Sequence, residues 1–388
     1  MNGAADIIDT MTSTPPDTRN AAPVFSWRIF GPTLVLIAGL AVYSAYWYVA
    51  AGKTREAIER FAAAPAEKIA VGWDTFSISG FPYRIEADFV APIIRAPNAP
   101  EAWEWSAENL EADFLPYNLR HVVLKIEGGQ LLKYRDVSGA ARQTHTVSMI
   151  SDGAWASYVA IDGAPVGRLA IDINNLVALH DTGTDKPGAK AGAGKEGRFA
   201  AGRLQLHAQP AATDPGSPPA PGDAASYDIA LQGDDIDLER LAASKVLGER
   251  MTLFAAQARL RNLPPSTNAS PVEMSREWLA NGGRLAISDL AIKWGALDLM
   301  AQGEVTLDRQ MRPEGRLDAA IADYAGLVSA LVKAKVVNEK DARVALVGIG
   351  LVAQLQGDKS GRVHVPVLMK DGRLFLGPLL VATLDPLF

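Results

Sequence analysis

The 388-residue chain contains no cysteine. This absence excludes disulfides, thiolate zinc sites, iron–sulfur clusters and cysteine nucleophiles, although it does not fix the compartment, since oxidising and reducing locations both tolerate such a chain. Positive charge is also scarce, because 38 Lys and Arg residues are outnumbered by 44 Asp and Glu residues and the formal net charge is −6. Neutralised phosphates supply most of the affinity for nucleic acid, so we expect no nucleic-acid partner.

Motifs for catalysis and cofactor binding are also lacking. The sequence has no G-x-S-x-G elbow, phosphate-binding loop or H-E-x-x-H pair. Gly348 to Ala353 match a dinucleotide fingerprint only weakly, because a capped helix begins near Asn338, where the fingerprint needs a strand. We therefore predict no enzymatic activity, no cofactor and no metal, and keep an enzyme with scattered site residues as the remaining alternative.

The histidines and one acidic group complete the search for site residues. The five histidines form no pair at metal-ligand spacing, and His207 and His364 alternate with apolar residues, which predicts exposed positions on strands. Asp234, Asp235 and Asp237 could bind a cation. Their position before a predicted helix favours a helix entry, where carboxylates meet the helix dipole.

Residues 29–52 carry no charged side chain. As a helix this run would span about 36 Å, enough for a hydrocarbon core of about 30 Å, so we predict one transmembrane helix. Trp27 on one side and Tyr46, Trp47 and Tyr48 on the other suit the two membrane interfaces. The run is too long for a signal peptide and lacks a small-residue cleavage site, which favours an uncleaved anchor in the membrane.

The orientation of this anchor stays open. The basic residues are Arg19 and Arg28 before the run and Lys53, Arg55, Arg60 and Lys68 after it. Their count favours a cytoplasmic C-terminal part, but large downstream domains translocate regardless of such counts.

After the anchor, the sequence predicts an α+β fold, mostly an antiparallel curved β-sheet with a few helices. Tyr83, Ile85, Ala87 and Phe89 alternate with charged residues, as in a half-buried strand. Further strands are predicted at 102–114 and 121–134, the second with a hairpin turn at Gly128 and Gly129.

A short unit recurs in which Gly precedes Arg or Glu and an apolar residue. Gly permits positive φ at a turn, so each copy predicts the start of a strand. The copies begin at Gly167, Gly202, Gly283, Gly303, Gly361 and Gly372, with a weaker one at Gly315.

Helices are predicted at 237–248, at 323–336 and from Asn338 onward, and residues 53–68 are expected to continue the anchor helix. The organisation is then a disordered cytoplasmic tail (1–28), a transmembrane helix (29–52), an N-terminal β-rich region (53–180), a flexible linker or loop (181–197) and a C-terminal β-rich region with helices (198–388). A second Pro- and Gly-rich excursion is predicted at 209–225.

The stretch SGFPYR brings Gly80, Phe81, Pro82, Tyr83 and Arg84 together just before the alternating segment. Gly80 permits a turn, Pro82 restricts Phe81 to extended geometry, and Tyr83 begins the apolar side of the strand. The pattern favours a turn that sets the register of the first strand, and a binding role for Phe81 or Arg84 is the alternative.

Residues 72–92, which include this stretch, resemble the signature of an uncharacterised alphaproteobacterial family of membrane-anchored envelope proteins, domain-of-unknown-function family 2125. The C-terminal stretch from Gly361 also looks like that family and, more loosely, like AsmA-like envelope proteins. The resemblance implies an inner-membrane anchor, a periplasmic β-rich body and no catalytic residue to carry over. AsmA-like proteins are associated with outer-membrane biogenesis and with lipid movement along an apolar β-groove, so the resemblance implies lipid as a ligand class.

Two functions therefore compete. In the first, a membrane-anchored envelope protein binds lipid or another apolar ligand on its curved sheet. In the second, a structural or partner-binding membrane protein has no ligand, because its apolar faces close on one another.

Overall fold

The computed structural model describes residues 27–64, 69–96, 102–136, 143–164, 166–183, 197–212, 225–238, 243–264, 271–356 and 362–387. The chain divides into two compact units, residues 1–50 and 51–388.

Helix α1 (Trp27–Ala63) contains the charge-free run and is, among the described residues, the one helix long and apolar enough to cross a membrane. Pro32 lies near its start, where a missing backbone N–H costs little. In the second unit the helix continues from Ala51 to Ala63, which confirms the predicted continuation as far as residue 63. Residues 65–68 and the predicted tail before Trp27 lie outside the described residues.

An antiparallel sheet forms most of the second unit, which confirms the predicted fold class. The strands are β1 (Ala70–Gly72), β2 (Thr75–Ser79), β3 (Ile85–Val90), β4 (Ile93–Ala96), β5 (Trp103–Leu115), β6 (Asn118–Asp136), β7 (Gln143–Ile150), β8 (Gly153–Val159), β9 (Arg168–Gly183), β10 (Gly197–Pro210), β11 (Ala225–Asp237), β12 (Arg250–Leu263), β13 (Arg284–Trp294), β14 (Leu297–Leu307), β15 (Pro313–Ile321), β16 (Val363–Lys370), β17 (Arg373–Leu376) and β18 (Leu379–Thr383).

The strands follow one another across the sheet in nearly the order of the chain. β2 pairs with β3, and β1 pairs with β4. β3 and β4 both pair with β5, which pairs with β6. The long β6 pairs with β7 and with β8, which both pair with β9. From β9 to β18 each strand pairs with the next. The sheet is therefore continuous across the predicted linker, whose residues 184–196 lie outside the described residues, and the two-region division stays a prediction.

The remaining helices are α2 (Ser244–Leu247), α3 (Pro271–Ala280), α4 (Tyr324–Lys333) and α5 (Glu339–Gln356). The N–H of Gly326 donates to the Asp323 carboxylate at 2.8 Å, and the N–H of Asp341 donates to Asn338 Oδ1 at 2.8 Å. Such caps satisfy backbone donors that a helix leaves free at its N-terminus. The predicted helices after Asp323 and after Asn338 are thus confirmed.

The main core lies between α4, α5 and strands β14 to β18. Ile321 and Val328 are fully buried there, and Ala345 of α5 is 1% exposed. Burial also raises the pKa of Tyr324 to about 12, because the phenolate would be poorly solvated. Both helices therefore dock on the apolar face of the sheet.

The prediction for Asp234, Asp235 and Asp237 is wrong, because these residues belong to β11 and do not open a helix. Asp234 pairs in register with Arg203, and Arg198 donates to the Asp237 carboxylate at 2.5 Å. Arginines on the neighbouring strand thus lie opposite Asp234 and Asp237. Of the predicted helix 237–248, α2 provides four residues, and residues 239–242 lie outside the described residues.

The hairpin predicted at Gly128 and Gly129 is also wrong, because β6 runs straight through both glycines. The register between β5 and β6 shifts here, between Ala107 and Asn109. Gly128 has φ +77°, and a Cβ atom there would lie 2.2 Å from the Glu108 carboxylate. The two glycines therefore admit a β-bulge, which uses the same backbone freedom as a turn.

The recurrent Gly units have two structural roles. Gly167, Gly283 and Gly372 directly precede strands, as predicted, whereas Gly202, Gly303 and Gly315 lie inside strands. A Cβ at Gly303 would meet the carbonyl oxygen of Arg316 at 2.3 Å, and a Cβ at Gly315 would meet that of Glu304 at 2.3 Å. Those two glycines therefore allow β14 and β15 to approach closely. Gly361 lies outside the described residues.

Candidate functional site

The SGFPYR stretch forms the turn between β2 and β3. The N–H groups of Tyr83 and Arg84 donate to the carbonyl oxygen of Gly80 at 3.2 and 3.0 Å. Gly80 has φ +97°, and a Cβ atom there would lie 2.7 Å from the Arg84 carbonyl oxygen, so the turn requires glycine. The Phe81–Pro82 bond is cis.

The sequence predicts that Tyr83 begins the apolar side of the strand. This prediction is wrong, because β3 starts at Ile85. The N–H of Tyr83 is used by the turn and not by a neighbouring strand. The Tyr83 side chain is 83% exposed, and Phe81 is 44% exposed. The turn therefore presents two aromatic side chains to its surroundings.

Arg84 lies among three carboxylates on β3 and β5. Its guanidinium is 3.2 Å from Asp113 and 3.8 Å from Glu111, and it also pairs with Glu86. Burial, followed by the charges of Glu86 and Asp113, raises the pKa of Glu111. The oxygens of the three carboxylates lie within 4.8 Å of one another, a spacing that suits a metal ion. Arg84 offsets one of the three negative charges and contacts all three carboxylates, which favours a structural role for the cluster.

One face of the sheet is apolar from one end to the other. Partner residues on neighbouring strands form a line, which we call the apolar row, of thirteen uncharged side chains from β2 to β16. Its members are Ile78, Ala87, Ala112, Leu124, Ala156, Ile171, Leu206, Leu231, Ala256, Leu290, Ala301, Ala319 and Val365. At a strand spacing of about 4.8 Å the row is about 58 Å long.

A second line runs beside the apolar row and contains only apolar residues and one glycine. Its members are Phe76, Phe89, Leu110, Ile126, Ala154, Ile173, Leu204, Gly233, Phe254, Ile292, Leu299, Ile321 and Val363. The apolar surface is therefore at least two side chains wide along its length.

The apolar row is buried near both ends but not in its middle. Ala87 and Ala112 are 0% and 5% exposed at one end, and Ala319 and Val365 are 1% and 2% exposed at the other. Ile171, Leu206 and Ala256 in the middle are half-buried, and Leu231 is 40% exposed. Antiparallel strands usually turn an apolar side toward a core, so an uncovered apolar middle is the feature that needs an explanation.

A cavity of about 500 Å³ lies at the first end, between the last turns of α1 and the sheet. Ala57, Ile58 and Phe61 line it from the helix, and Trp73 and Leu110 are among the residues that line it from the sheet. Phe76 and Phe89 stack beside it with ring centroids 4.8 Å apart, and the Arg55 guanidinium lies 4.9 Å from the Phe76 ring. We call this the N-terminal cavity.

A second cavity of about 500 Å³, the C-terminal cavity, lies between α2, α4 and strands β13 to β18. Leu247 of α2, Leu327 and Leu331 of α4, and Leu290 and Ala301 of the apolar row line it. Both cavities are apolar, and both touch the row. This is the composition of a site for a hydrocarbon group.

The opposite face of the sheet is polar. Arg203 forms two hydrogen bonds to Asp172, and Arg259 forms two to Asp228. A concavity of about 620 Å³ opens on this face beside Arg259, with His207 at its wall. The charged and apolar surfaces are therefore separated on the two faces of one sheet.

Two histidines that are far apart in the sequence meet in the structure. His145 Nδ1 of β7 and His180 Nε2 of β9 are 2.9 Å apart, and the Tyr134 ring stacks on His145 with centroids 4.9 Å apart. Sequence spacing within one strand gives no signal for such a pair across strands. His121 bonds to Ser157 at 2.9 Å, while His207 and His364 are exposed on strands, as predicted.

The predicted aromatic anchors lie on α1, but their environments differ. Tyr46 and Tyr48 are 48% and 65% exposed, whereas Trp47 is buried and its ring packs edge-on against Tyr48. Trp27 is the first residue of α1, and its side chain lies outside the described part. The interfacial role of these residues stays a prediction.

Within the part of the chain that the structure describes, the protein combines one helix apolar enough to span a membrane with a large antiparallel sheet. The model of one family, described as an uncharacterised protein conserved in bacteria (DUF2125), matches residues 47–385. The chain belongs to this family, as the SGFPYR resemblance predicts, while the looser likeness to AsmA-like proteins stays a prediction. No curated protein and no solved structure matches the chain.

Proposed function

We propose that this protein is a single-pass inner-membrane protein that binds the hydrocarbon part of a lipid on the apolar face of its sheet. The partly exposed middle of the apolar row carries this proposal, because it joins two apolar cavities across a face with no charged member in the row. We propose no catalytic role for any residue. Envelope biogenesis is the process that would use such a protein.

The physical case rests on the free energy of burying hydrocarbon. Each CH₂ group that leaves water contributes about 0.8 kcal/mol. The row, at about 58 Å, is longer than the full hydrocarbon core of a bilayer at about 30 Å, so an acyl chain fits along part of it. The headgroup of a lipid bound on the apolar face would reach water only at an edge or an end of the sheet. Partly exposed Leu231 is then the centre of the site.

A pair of neighbouring residues tests the site, because adjacent side chains on a strand point to opposite faces. Leu231→Glu places a charge in the apolar row, and Gln232→Glu places the same charge on the polar face, where Gln232 already contacts Asp234. Both side chains are exposed, so both variants should fold. We expect Leu231→Glu to reduce lipid binding about tenfold, since an unpaired charge would be desolvated, and Gln232→Glu to leave it unchanged.

The measurement is native mass spectrometry of the full chain after release from detergent, together with transfer of a fluorescent phospholipid between vesicles. Equal lipid occupancy in both variants would move the site away from the apolar row. Absence of lipid and of transfer in the unaltered protein would favour the alternative, a structural or partner-binding membrane protein without a ligand.

We also propose that residues 53–388 lie in the periplasm. The resemblance to anchored envelope proteins supports this orientation, whereas the basic residues around the anchor favour the reverse. Reporter fusions after Phe388 and before Arg28 test it. We expect a periplasmic reporter to be active only in the first fusion, and activity only in the second would contradict the orientation.

A further inference from the structure

Exposed apolar side chains gather where three connections leave the same end of the sheet. The turn before Ile85, the turn after Leu115 and the loop after Val159 all lie at this end, because Ile85 pairs with Phe114 and Val159 pairs with His121. We call the exposed apolar residues of these connections the turn-tip patch. They are Phe81, Tyr83, Tyr117, Leu119, Ile161 and Val166.

The patch is unusual in its exposure. Tyr83 and Tyr117, at 83% and 77%, are the most exposed large apolar side chains among the described residues. Isolated exposed apolar residues are common on protein surfaces, but turns are normally built from Gly, Asn, Asp and Ser. Aromatic residues at two successive tips, with aliphatic residues at the third, therefore indicate a contact surface.

The tips are held in fixed positions relative to one another. The Arg120 side chain donates to the Asp162 carboxylate at 2.6 Å, and the Ala160 N–H donates to the Arg120 carbonyl oxygen at 2.9 Å. These bonds join the second connection to the third. The three connections span six adjacent strands (β2, β3, β5, β6, β8 and β9), so the patch is about 24 Å long.

We propose that the turn-tip patch inserts into the interfacial region of a lipid bilayer. Tyr carries an apolar ring and a polar hydroxyl, a combination that suits the headgroup level of a membrane. Two of the basic groups beside the tips have acidic partners, since Arg84 pairs with Glu86, Glu111 and Asp113, and Arg120 pairs with Asp162.

The geometry favours a bilayer over a protein partner. A stable protein interface buries about 800 Å² on each partner, and a single line of turn tips is a narrow edge. A bilayer accepts separate side chains along such an edge. The chain also gives the patch access to lipid, because α1 contains the apolar run that ends at Gly52. Lys53, the first residue after this run, lines the N-terminal cavity together with Phe114 and Leu119, which lie at the turn end of β5 and β6.

The absence of cysteine makes the test direct. Tyr83→Cys and Tyr117→Cys each provide a single labelling site at an exposed position. Ile150→Cys is the matched control, because Ile150 is 59% exposed and pairs with Val177 in the middle of β9, away from the turn-tip patch. Each full-length variant is labelled with the fluorophore NBD and placed in nanodiscs of phosphatidylcholine and phosphatidylglycerol.

Two quenchers distinguish the occupants of the patch. A nitroxide on the lipid acyl chain reports lipid contact, and iodide reports water. We expect the nitroxide lipid to reduce the fluorescence at positions 83 and 117 about twofold and to leave position 150 unchanged. Labels that iodide reaches equally at all three positions would overturn the proposal. Labels at 83 and 117 that are shielded from iodide but not quenched by the lipid would also overturn it, in favour of a protein contact.

This outcome is separable from the function proposed above. The patch lies on turns at one end of the sheet, whereas Leu231 lies in the middle of the apolar row. Quenching at the tips with no lipid bound in solution would support the membrane contact and contradict the binding site.

Discussion

At the scale of single residues, Arg84 is the most informative side chain of the SGFPYR turn. It forms ion pairs with Glu86, Glu111 and Asp113, whose oxygens lie within 4.8 Å of one another. Burial already raises the pKa of Glu111 and of nearby Asp88, and the charge of Arg84 opposes both shifts. A folded-state pKa above the unfolded value means that the folded state binds more protons. These two carboxyls therefore cost stability as the pH rises through their titration range.

Arg84→Ala should enlarge that cost. Without the guanidinium the pKa values of Glu111 and Asp88 rise further, so the loss of stability should be small at about pH 3.5 and grow toward pH 7, where the carboxylates are ionised. We expect about 1 kcal/mol at neutral pH, since Arg84 is half exposed and solvent screens part of the effect. Urea denaturation at a series of pH values measures this.

Arg95→Ala is the matched control for Arg84. Arg95 is 53% exposed, pairs with the single carboxylate of Glu104, and Lys133 contacts the same carboxylate. Its removal should have little pH dependence. The explanation fails if the stability loss in Arg84→Ala is as large at about pH 3.5 as at about pH 7.

The same turn shows what the sequence can and cannot predict at a single residue. The requirement for Gly80 and the position of the turn follow from local backbone rules, and both agree with the structure. The contacts of Arg84 with Glu111 and Asp113 depend on which strand lies beside β3. The pairing of His145 with His180 has the same origin, because β9 lies beside β7. Neighbouring strands are set by the whole sheet, and a local pattern does not contain this information.

At the scale of elements, α5 has one face against the core and one apolar face in the open. Ala342 and Ala345 are 4% and 1% exposed, whereas Val344 and Val347 are 65% and 70% exposed. The small buried alanines let α5 approach the sheet closely. This contact, more than the cap at Asn338, should hold the helix in place.

Substitutions at adjacent positions test the docking of α5. Ala345→Glu would place a carboxylate in the core and should destabilise the helix by at least about 2 kcal/mol. Val344→Glu places the same group in water, and Glu is the better helix former, so its effect should be near zero or slightly stabilising. Hydrogen exchange of the α5 amides, with urea denaturation of the full chain, measures both. Equal exchange rates in the two variants would show that α5 is not held by this face.

Elements were predictable where local chemistry alone determines them. The Asp323 and Asn338 caps mark the starts of α4 and α5 correctly, because a cap satisfies donors within its own turn. The predictions of a hairpin at Gly128 and Gly129 and of a helix start at Asp237 are wrong for the opposite reason. A bulge and a turn use the same glycine freedom, and an acidic residue suits a helix start as well as an ion pair with Arg198. Only the neighbouring strand decides between these outcomes.

At the scale of the whole molecule, the question is whether the continuous sheet of the second unit unfolds as one body. Each strand contacts mainly its neighbours, as in repeat proteins, which would permit the ends to unfold separately. Two features connect them. β9 and β10 are paired along eleven residue pairs. A small core around Ala201, Ile236, Met251 and Trp294 also shares Leu247 and Ile292 with the main core.

Ala201→Asp tests this connection, because Ala201 is 4% exposed in the small core on β10. A buried carboxylate there should lower the unfolding temperature by roughly 5 °C.

If the shared core couples the sheet, hydrogen exchange in the Ala201→Asp variant should accelerate together in residues 85–96 and 313–321, on either side of the substitution. His207→Asp, at an exposed position on the polar face of the same strand between Ala170 and Ala230, is the control and should shift neither. A variant in which only residues 313–321 lose protection, while 85–96 keep theirs, would show that the sheet unfolds in separate parts. We expect the stability of the small core and that of the main core to be coupled. A charge in the small core also removes contacts of Leu247 and Ile292, which pack against both cores.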